Sequence, residues 1–527
     1  MASFLKRIAI LCFVVAAIFV TTARKTWVST DGGLLAGVTD RGVEAFLGIP
    51  FAAPPVGELR WRPPRAAPPW SDVRWATRYG SDCEQTPLPY DFAPLRSTLS
   101  EDCLYLNVWR PSGGNPGARL PVVFWIHGGG FMNGGSSAAA FDGGAFARKD
   151  VIFVSANYRL GRFGFFAVPQ LTREDGGANL VGNYGLMDQI AALKWVQRNI
   201  AAFGGDPRNV TVLGESAGGT SIHVLLTSPA SEGLFARAII QSGQGRSGPA
   251  GERHIRIDKA GLPSLEALGL EFARRHGIAG DDPSALQRLR ALPASAVNGG
   301  LNMVTYFQTD QGATFGGPSI DGRLVPESPD TAYAAGRHKR VPLIVGATSA
   351  DYGLENTKTK DGLFVQFGAA EAQARAAYDP DGQADPNVVI AAASSDWTMV
   401  EPARYVARQF AARGLPTYAY RFSYVPNAME ETWKTGAPHA TDVPFAMNTV
   451  AAVLGDRSTA RDARVARSMN GYWANFARTG DPNGRGLPRW PAYDSGRDEL
   501  MDFARDGQAH AVEDPWKRRL DLIAGLR

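Results

Sequence analysis

A chain of 527 residues with 44% hydrophobic and 20% charged residues has the composition of a soluble globular protein with a large core, and its length allows two or more ordinary domains. Its 55 basic and 51 acidic residues leave a formal charge of only +4, and no basic cluster is interleaved with aromatics, which excludes a nucleic-acid binder. The 59 glycines and 35 prolines follow no fixed period, so collagen-like and repeat architectures are excluded as well.

The first residues, MASFLKRIAILCFVVAAIFVTTARK, have the three parts of a secretory leader: Lys6 and Arg7, an apolar stretch from Ile8 to Val20, and small residues at Thr21-Thr22-Ala23. The apolar stretch has 13 residues, short of the roughly 20 that span a bilayer, so a cleaved signal peptide over residues 1–23 is expected rather than a stable membrane anchor. Export to a secreted or periplasmic location follows. Cleavage would remove two positive charges and no acid, leaving +2. Of the three cysteines, Cys12 leaves with the leader, and the remaining pair, Cys83 and Cys103, is read as a disulfide of an exported protein. Neither has a CxxC or CxxH companion, so no metal site is expected.

From about residue 120 the chain alternates apolar runs with helical patterns. LPVVFWIHGGG (120–130) and DVIFVSANYRL (150–160) read as buried strands, and GLMDQIAALKWVQRNIAAFG (185–204) carries Leu186, Ile190, Leu193 and Val196 at helical spacing before a glycine stop. NVTVLGESAGG (209–219) is a strand running into a helix; its formal glycosylation sequon lies in that strand, where a structural role is expected. FARAIIQSG (235–243), VPLIVGATS (341–349) and PTYAYRFSY (416–424) add further strands. Continuous apolar strands separated by helices predict an α/β fold with a mainly parallel sheet covered on both faces. Residues 245–335, rich in Gly, Pro and Arg, carry two short predicted helices at 264–277 and 282–292 and read as an elaboration over the sheet's carboxyl edge. No linker isolates them, so residues 24–527 are taken as one catalytic domain.

Gly214-Glu215-Ser216-Ala217-Gly218 is a G-x-S-x-G pentapeptide at a predicted strand-to-helix junction, the context in which a serine sits on a sharp turn with its hydroxyl in a cleft. Such a nucleophile needs a base and donors for a developing oxyanion. HGGGF (127–131) ends a predicted strand, and the amides of Gly129 and Gly130, with that of Ala217, form the expected oxyanion hole. Among seven histidines, His439 in GAPHATDVPFAMN (436–448) has the context of the base; His127 lies upstream of the serine, and His223 lies two turns down the nucleophile's own helix. The acid is expected between Ser216 and His439 at a strand exit, where VPLIVGATSADYG offers Asp351, with Glu355 the alternative. Glu215 is expected to join a buried hydrogen-bond network. Arg246 and Lys434 lie near these segments and suggest a preference for esters bearing additional carboxylates.

The chain resembles the type-B carboxylesterases from about residue 26 to about residue 495. The marks are GIPFAAPPVGELRWRPP (48–64), SEDCLYLNVW (100–109), HGGGF, NYRLGRFGF (157–165), the long segment 182–219, PSIDG (318–322) and FARTGDPN (476–483). The resemblance implies an α/β-hydrolase fold, no metal or organic cofactor, a Cys83–Cys103 disulfide, and a triad of Ser216, Asp351 and His439. The implied activity is hydrolysis of small-molecule carboxylic esters, with lipase, amidase or a catalytically silent adhesion protein as alternatives on the same fold. The family usually carries Glu in a D-E-G segment where this chain reads Ala350-Asp351-Tyr352. Aspartate is shorter by one carbon–carbon bond, about 1.5 Å, so its loop must approach His439 more closely. The interval between the cysteines holds no Trp, which disfavours a cholinesterase.

Overall fold

The strands that the apolar runs predict form, and they assemble into one 13-stranded sheet in a computed structural model that describes residues 24–527 apart from 90, 248–251, 260, 281 and 354–356. The leader expected over residues 1–23 and the alternative acid Glu355 lie outside the described residues. Twelve strands follow one path across the sheet: β1 (Arg24–Thr30), β2 (Gly33–Asp40), β3 (Val43–Pro50), β4 (Tyr105–Pro111), β5 (Leu120–Ile126), β6 (Ile152–Ala156), β7 (Gly205–Glu215), β8 (Arg237–Gln241), β9 (Leu343–Thr348), β10 (Thr417–Phe422), β11 (Glu499–Phe503) and β12 (Ala509–Glu513). Their order is β1-β2-β3-β4-β6-β5-β7-β8-β9-β10-β11-β12. From β6 through β11 every neighbouring pair is parallel, while the strands at both margins pair antiparallel.

The central strands are apolar on both sides because both sides are covered. In β5, Val122, Phe124 and Ile126 belong to one core, whereas Val123 and Trp125 belong to the other. β8 divides in the same way, with Ala238 and Ile240 opposite Ile239. This alternation is the two-residue period of a strand whose two faces are both buried. Helices α1 (Tyr184–Asn199) and α2 (Ala217–Thr227) cover the first face; α3 (Leu265–Arg275) and α4 (Pro283–Arg290) lie in the elaboration, and α5 (Glu401–Ala411) returns to the first face. α6 (Ala460–Thr479) covers the second with Val465, Met469 and Trp473. The helix predicted over 185–204 is α from Tyr184 to Asn199 and ends in a 3-10 turn closed by left-handed Gly204 (φ 88°).

Cys83 and Cys103 form a disulfide across a sequence separation of 20. Among the described residues, no helix is long and apolar enough to cross a membrane.

Candidate active site

Parallel strands point their carboxyl ends the same way, so the residues leaving β5, β7, β8 and β9 collect along one edge of the sheet, the usual place for a site in an α/β fold. Ser216 leaves β7 and caps α2 with φ 54° and ψ −122°, a backbone conformation that non-glycine residues rarely adopt. The flanking glycines are required by contact. A Cβ on Gly218 would lie 2.1 Å from the carbonyl oxygen of Ile126, and one on Gly214 would lie 2.6 Å from the Gly218 backbone. The turn therefore passes β5 at a distance that no side chain permits.

His439 reaches this turn from the loop after β10. The Ser216 hydroxyl donates to His439 Nε2 at 2.9 Å, and His439 Nδ1–H donates to Asp351 Oδ1 at 2.5 Å. The buried Asp351 carboxylate accepts three further bonds: Tyr352 N–H to Oδ1 (2.7 Å), and Thr348 N–H (2.9 Å) and the Ser242 hydroxyl (2.6 Å) to Oδ2. The short Asp351 side chain reaches the imidazole because the two loops pair immediately before it. Ala350 and Pro438 form an isolated parallel β-bridge, with Ala350 N–H donating to Ala437 O at 2.9 Å and Ala437 N–H to Ser349 Oγ at 3.0 Å. Gly436, at φ 146°, permits this approach, since a Cβ there would lie 2.6 Å from Ser349 Oγ.

Three buried carboxylates surround the imidazole. Glu215 Oε1 lies 3.2 Å from His439 Nε2, and Asp442, three residues beyond the histidine, is held by Gln241 Nε2 (2.7 Å) and the Tyr420 hydroxyl (2.8 Å). Burial opposes a charge on His439, but Asp351, then Glu215 and Asp442, outweigh it and push its pKa up to about 9. Asp351 is held below the ordinary carboxylate range: burial would raise it, but the His439 charge and the hydrogen bonds from His439, Ser242 and Thr348 prevail. Glu215 and Asp442 move the other way, mainly through burial, to about 8 and about 6. Glu215 Oε1 has no hydrogen-bond partner among the described residues, while Asp442 Oδ2 takes the bonds from Gln241 and Tyr420.

The HGGGF turn leaves β5 beside the serine. Gly129 (φ 106°) and Gly130 (φ 61°) are left-handed, and a Cβ on Gly129 would lie 2.2 Å from Asn133 O. A Cβ on Gly128 would meet Ser216 Cβ at 3.0 Å, which locates the turn against that serine. Among the described residues no protein acceptor takes the N–H groups of Gly129 or Gly130. The Ala217 amide opens α2, where helix geometry leaves N–H groups without an intrahelical partner.

The other buried histidines are packed. His127 stacks on Tyr158 with ring centroids 4.5 Å apart, and burial pushes it down to about 4. His223 meets the Tyr333 hydroxyl at 2.7 Å and is pushed down to about 3. Arg246 does not face the triad as a free cation: it pairs with Glu401 at 2.7 Å and covers the Tyr405 ring at 4.3 Å. The suggested preference for extra carboxylates therefore loses this support, and Lys434 lies exposed. Sequence reasoning missed Ser242 and the Gln241–Tyr420 pair. Gln241 ends β8, Ser242 follows it and Tyr420 lies in β10, and nothing in the local pattern marks a residue that acts across the sheet. Among the described residues, no group of three His, Cys, Asp or Glu side chains could hold a metal.

Residues 24–379 and 366–519 match the Carboxylesterase family. The chain is 36% identical over 499 residues to the fumonisin B1 esterase of Sphingopyxis macrogoltabida, covering 90% of this chain and 85% of that one. It is 34% identical over 491 residues to the para-nitrobenzyl esterase of Bacillus subtilis, covering 88% and 92%. A solved structure titled PNB esterase superposes with a TM-score of 0.78 at 31% identity, covering 94% of this chain and 99% of that one.

Proposed function

We propose a serine-based mechanism for this chain, which belongs to the carboxylesterase family, has the α/β-hydrolase fold and is a carboxylic ester hydrolase. Ser216 Oγ attacks the ester carbonyl while His439 Nε2 takes its proton. Asp351 keeps the Nδ1 proton in place, so Nε2 is free to accept, and its charge stabilises the imidazolium. The negative charge on the former carbonyl oxygen is held by the amides of Gly129, Gly130 and Ala217. His439 then gives its proton to the departing alcohol, breaking the carbon–oxygen bond and leaving an acyl group on Ser216. In the second half His439 takes a proton from water, the resulting nucleophile attacks the acyl carbon, and the protonated imidazole returns its proton to Ser216.

The observation that carries this reading is the unbroken Ser216–His439–Asp351 chain at 2.9 and 2.5 Å on a left-handed serine. Ser216→Ala should abolish both p-nitrophenyl butyrate turnover and labelling by a fluorophosphonate probe. Retained turnover would refute the mechanism, and a wild-type chain that neither labels nor turns over would favour a silent binding protein.

The side chains around the triad support esters with an apolar part. Tyr352 lies with its ring 6.0 Å from His439, Phe307 lies 6.4 Å beyond it, and Met303 overhangs Gly130. A panel holding p-nitrophenyl acetate, a naphthyl ester, a p-nitrobenzyl ester and fumonisin B1, the last two taken from the relatives' names, would define the class. The leader-like pattern of residues 1–23 and the Cys83–Cys103 disulfide support a mature domain beginning near residue 24 in a secreted or periplasmic setting.

A further inference from the structure

Beyond β12 the chain turns through Asp514 and Trp516 into helix α7 (Lys517–Gly525), most of which follows residue 519, where the family match stops. This segment is fastened in an unusual way. The Trp516 ring lies between two guanidinium groups, Arg421 at 3.6 Å and Arg519 at 3.7 Å from its centroid. Each arginine is held from its other side by a buried carboxylate. Asp514 takes Arg421 in a two-pronged pair at 2.8 and 3.0 Å, and Asp396 lies 2.6 Å from Arg519 Nε. Asp396 opens a single π-helical turn, Asp396–Val400, inserted between the helix Pro386–Ser395 and α5. Such insertions interrupt a helix at a cost and recur at functional sites.

What lies under this clamp is the loop of the catalytic acid. A small apolar cluster separate from the two main cores consists of Ala347, Met399, Val400 and Leu520, with Tyr352 and Trp516 packed against it. Ala347 is in β9, four residues before Asp351, and Tyr352 follows Asp351 directly. Met399 and Val400 come from the π turn, and the fully buried Leu520 comes from α7. Gly353 rests on the adjoining helix, since a Cβ there would lie 2.4 Å from the Ser394 backbone. The loop bearing Asp351 is thus fixed on one side by the Ala350–Pro438 bridge and on the other by the clamped C-terminal segment.

We propose that Trp516, clamped between Arg421 and Arg519, is a positioning residue for the catalytic acid: it secures the cluster that grips Asp351 from both flanks and so holds its carboxylate in line with His439. This rests on the reading of Asp351 as the triad acid. A hydrogen bond of 2.5 Å between Asp351 and His439 leaves little tolerance, and a displacement of about 1 Å at a reacting group can cost on the order of a hundredfold in rate.

The test compares Trp516→Ala, Trp516→Phe and Asp351→Asn in the full-length chain, with fluorophosphonate titration to count functional serines. For Trp516→Ala, kcat per labelled serine should fall about tenfold with KM within about twofold, the pattern of a lost transition-state interaction. The acidic limb of kcat/KM should move to lower pH as the imidazolium loses its counter-charge, and Trp516→Phe, which keeps a ring between the arginines, should recover most of the rate. A structural role alone would lower the labelled fraction and leave kcat per labelled serine and the limb unchanged; that result overturns the proposal. If Asp351→Asn also keeps its rate, the assignment of the acid falls. If Asp351→Asn is inactive while Trp516→Ala is unchanged, only the positioning role falls. Should Trp516→Ala not fold, Arg519→Gln loosens the sandwich and leaves Leu520 in place. A fall of about threefold per labelled serine is then expected, and an unchanged rate is contrary.

Discussion

Asp351→Asn is nearly isosteric, and the donor arrangement shows why it should nevertheless be severe. Each carboxylate oxygen faces one donor that cannot rotate: Oδ1 faces Tyr352 N–H at 2.7 Å and Oδ2 faces Thr348 N–H at 2.9 Å. An asparagine has one oxygen and one NH2 group, so either orientation sets the NH2 against a fixed backbone N–H. If NH2 takes the Oδ1 position it also faces His439 Nδ1, which must then accept. The tautomer inverts, Nε2 carries the proton, and the base cannot take the proton from Ser216. If NH2 takes the Oδ2 position, the tautomer survives but the counter-charge that raises His439 is gone. The first outcome corresponds to a loss in kcat of about 10⁴-fold, or about 5.5 kcal/mol in activation free energy, with KM little changed. The assay is p-nitrophenyl butyrate turnover, normalised to probe-titrated serine, run beside Glu355→Gln. A loss under about tenfold in Asp351→Asn, or a larger loss in Glu355→Gln, would refute the assignment of the acid.

Two further outcomes follow from the surroundings of the triad. Glu215→Gln removes a carboxylate that holds the His439 pKa up, so the acidic limb of kcat/KM, which reports loss of the imidazolium proton, should move to lower pH. The activity at pH 6 relative to the plateau would then rise; an unmoved limb would show that Glu215 carries no charge that His439 senses. Replacing both Cys83 and Cys103 by Ala opens a loop with a sequence separation of 20 and should cost about 3 kcal/mol of stability, read by denaturant unfolding against the oxidised parent. Equal stability would mean that the unfolded chain gains nothing from losing the link.

The elements that were legible in the sequence are those whose surroundings are uniform. β5 to β10 are buried on both faces along most of their length, so each carries an apolar run that could be read without knowing its neighbours. The margins were not legible for the converse reason. β12, AHAVE, is mostly exposed, and β1 and β2 pair as an antiparallel hairpin whose outer positions in β1 hold Lys25, Trp27 and Ser29. Ser216 was legible because its glycines answer to contacts within one turn and one neighbouring strand. His439 was legible only through its loop context and its order in the chain.

The acid shows where such reading stops. Asp351 and His439 are 88 residues apart, and the feature that lets the shorter side chain reach is a single bridge between Ala350 and Pro438. Neither residue has a side chain that would announce the contact; the bridge needs only backbone groups and a glycine at 436 with room for Ser349. Ser242, which ties down Oδ2 from the end of β8, is likewise 109 residues from its partner. Asp351 is therefore not an approximate substitute for glutamate. The Ala350–Pro438 bridge brings its backbone within reach of the histidine despite the shorter side chain, and the donors on Oδ2 hold it there. On this view Asp351→Glu, although it restores the family's residue type, should be poorly tolerated, because the backbone that would accommodate the longer side chain is already paired to Ala437 and Pro438.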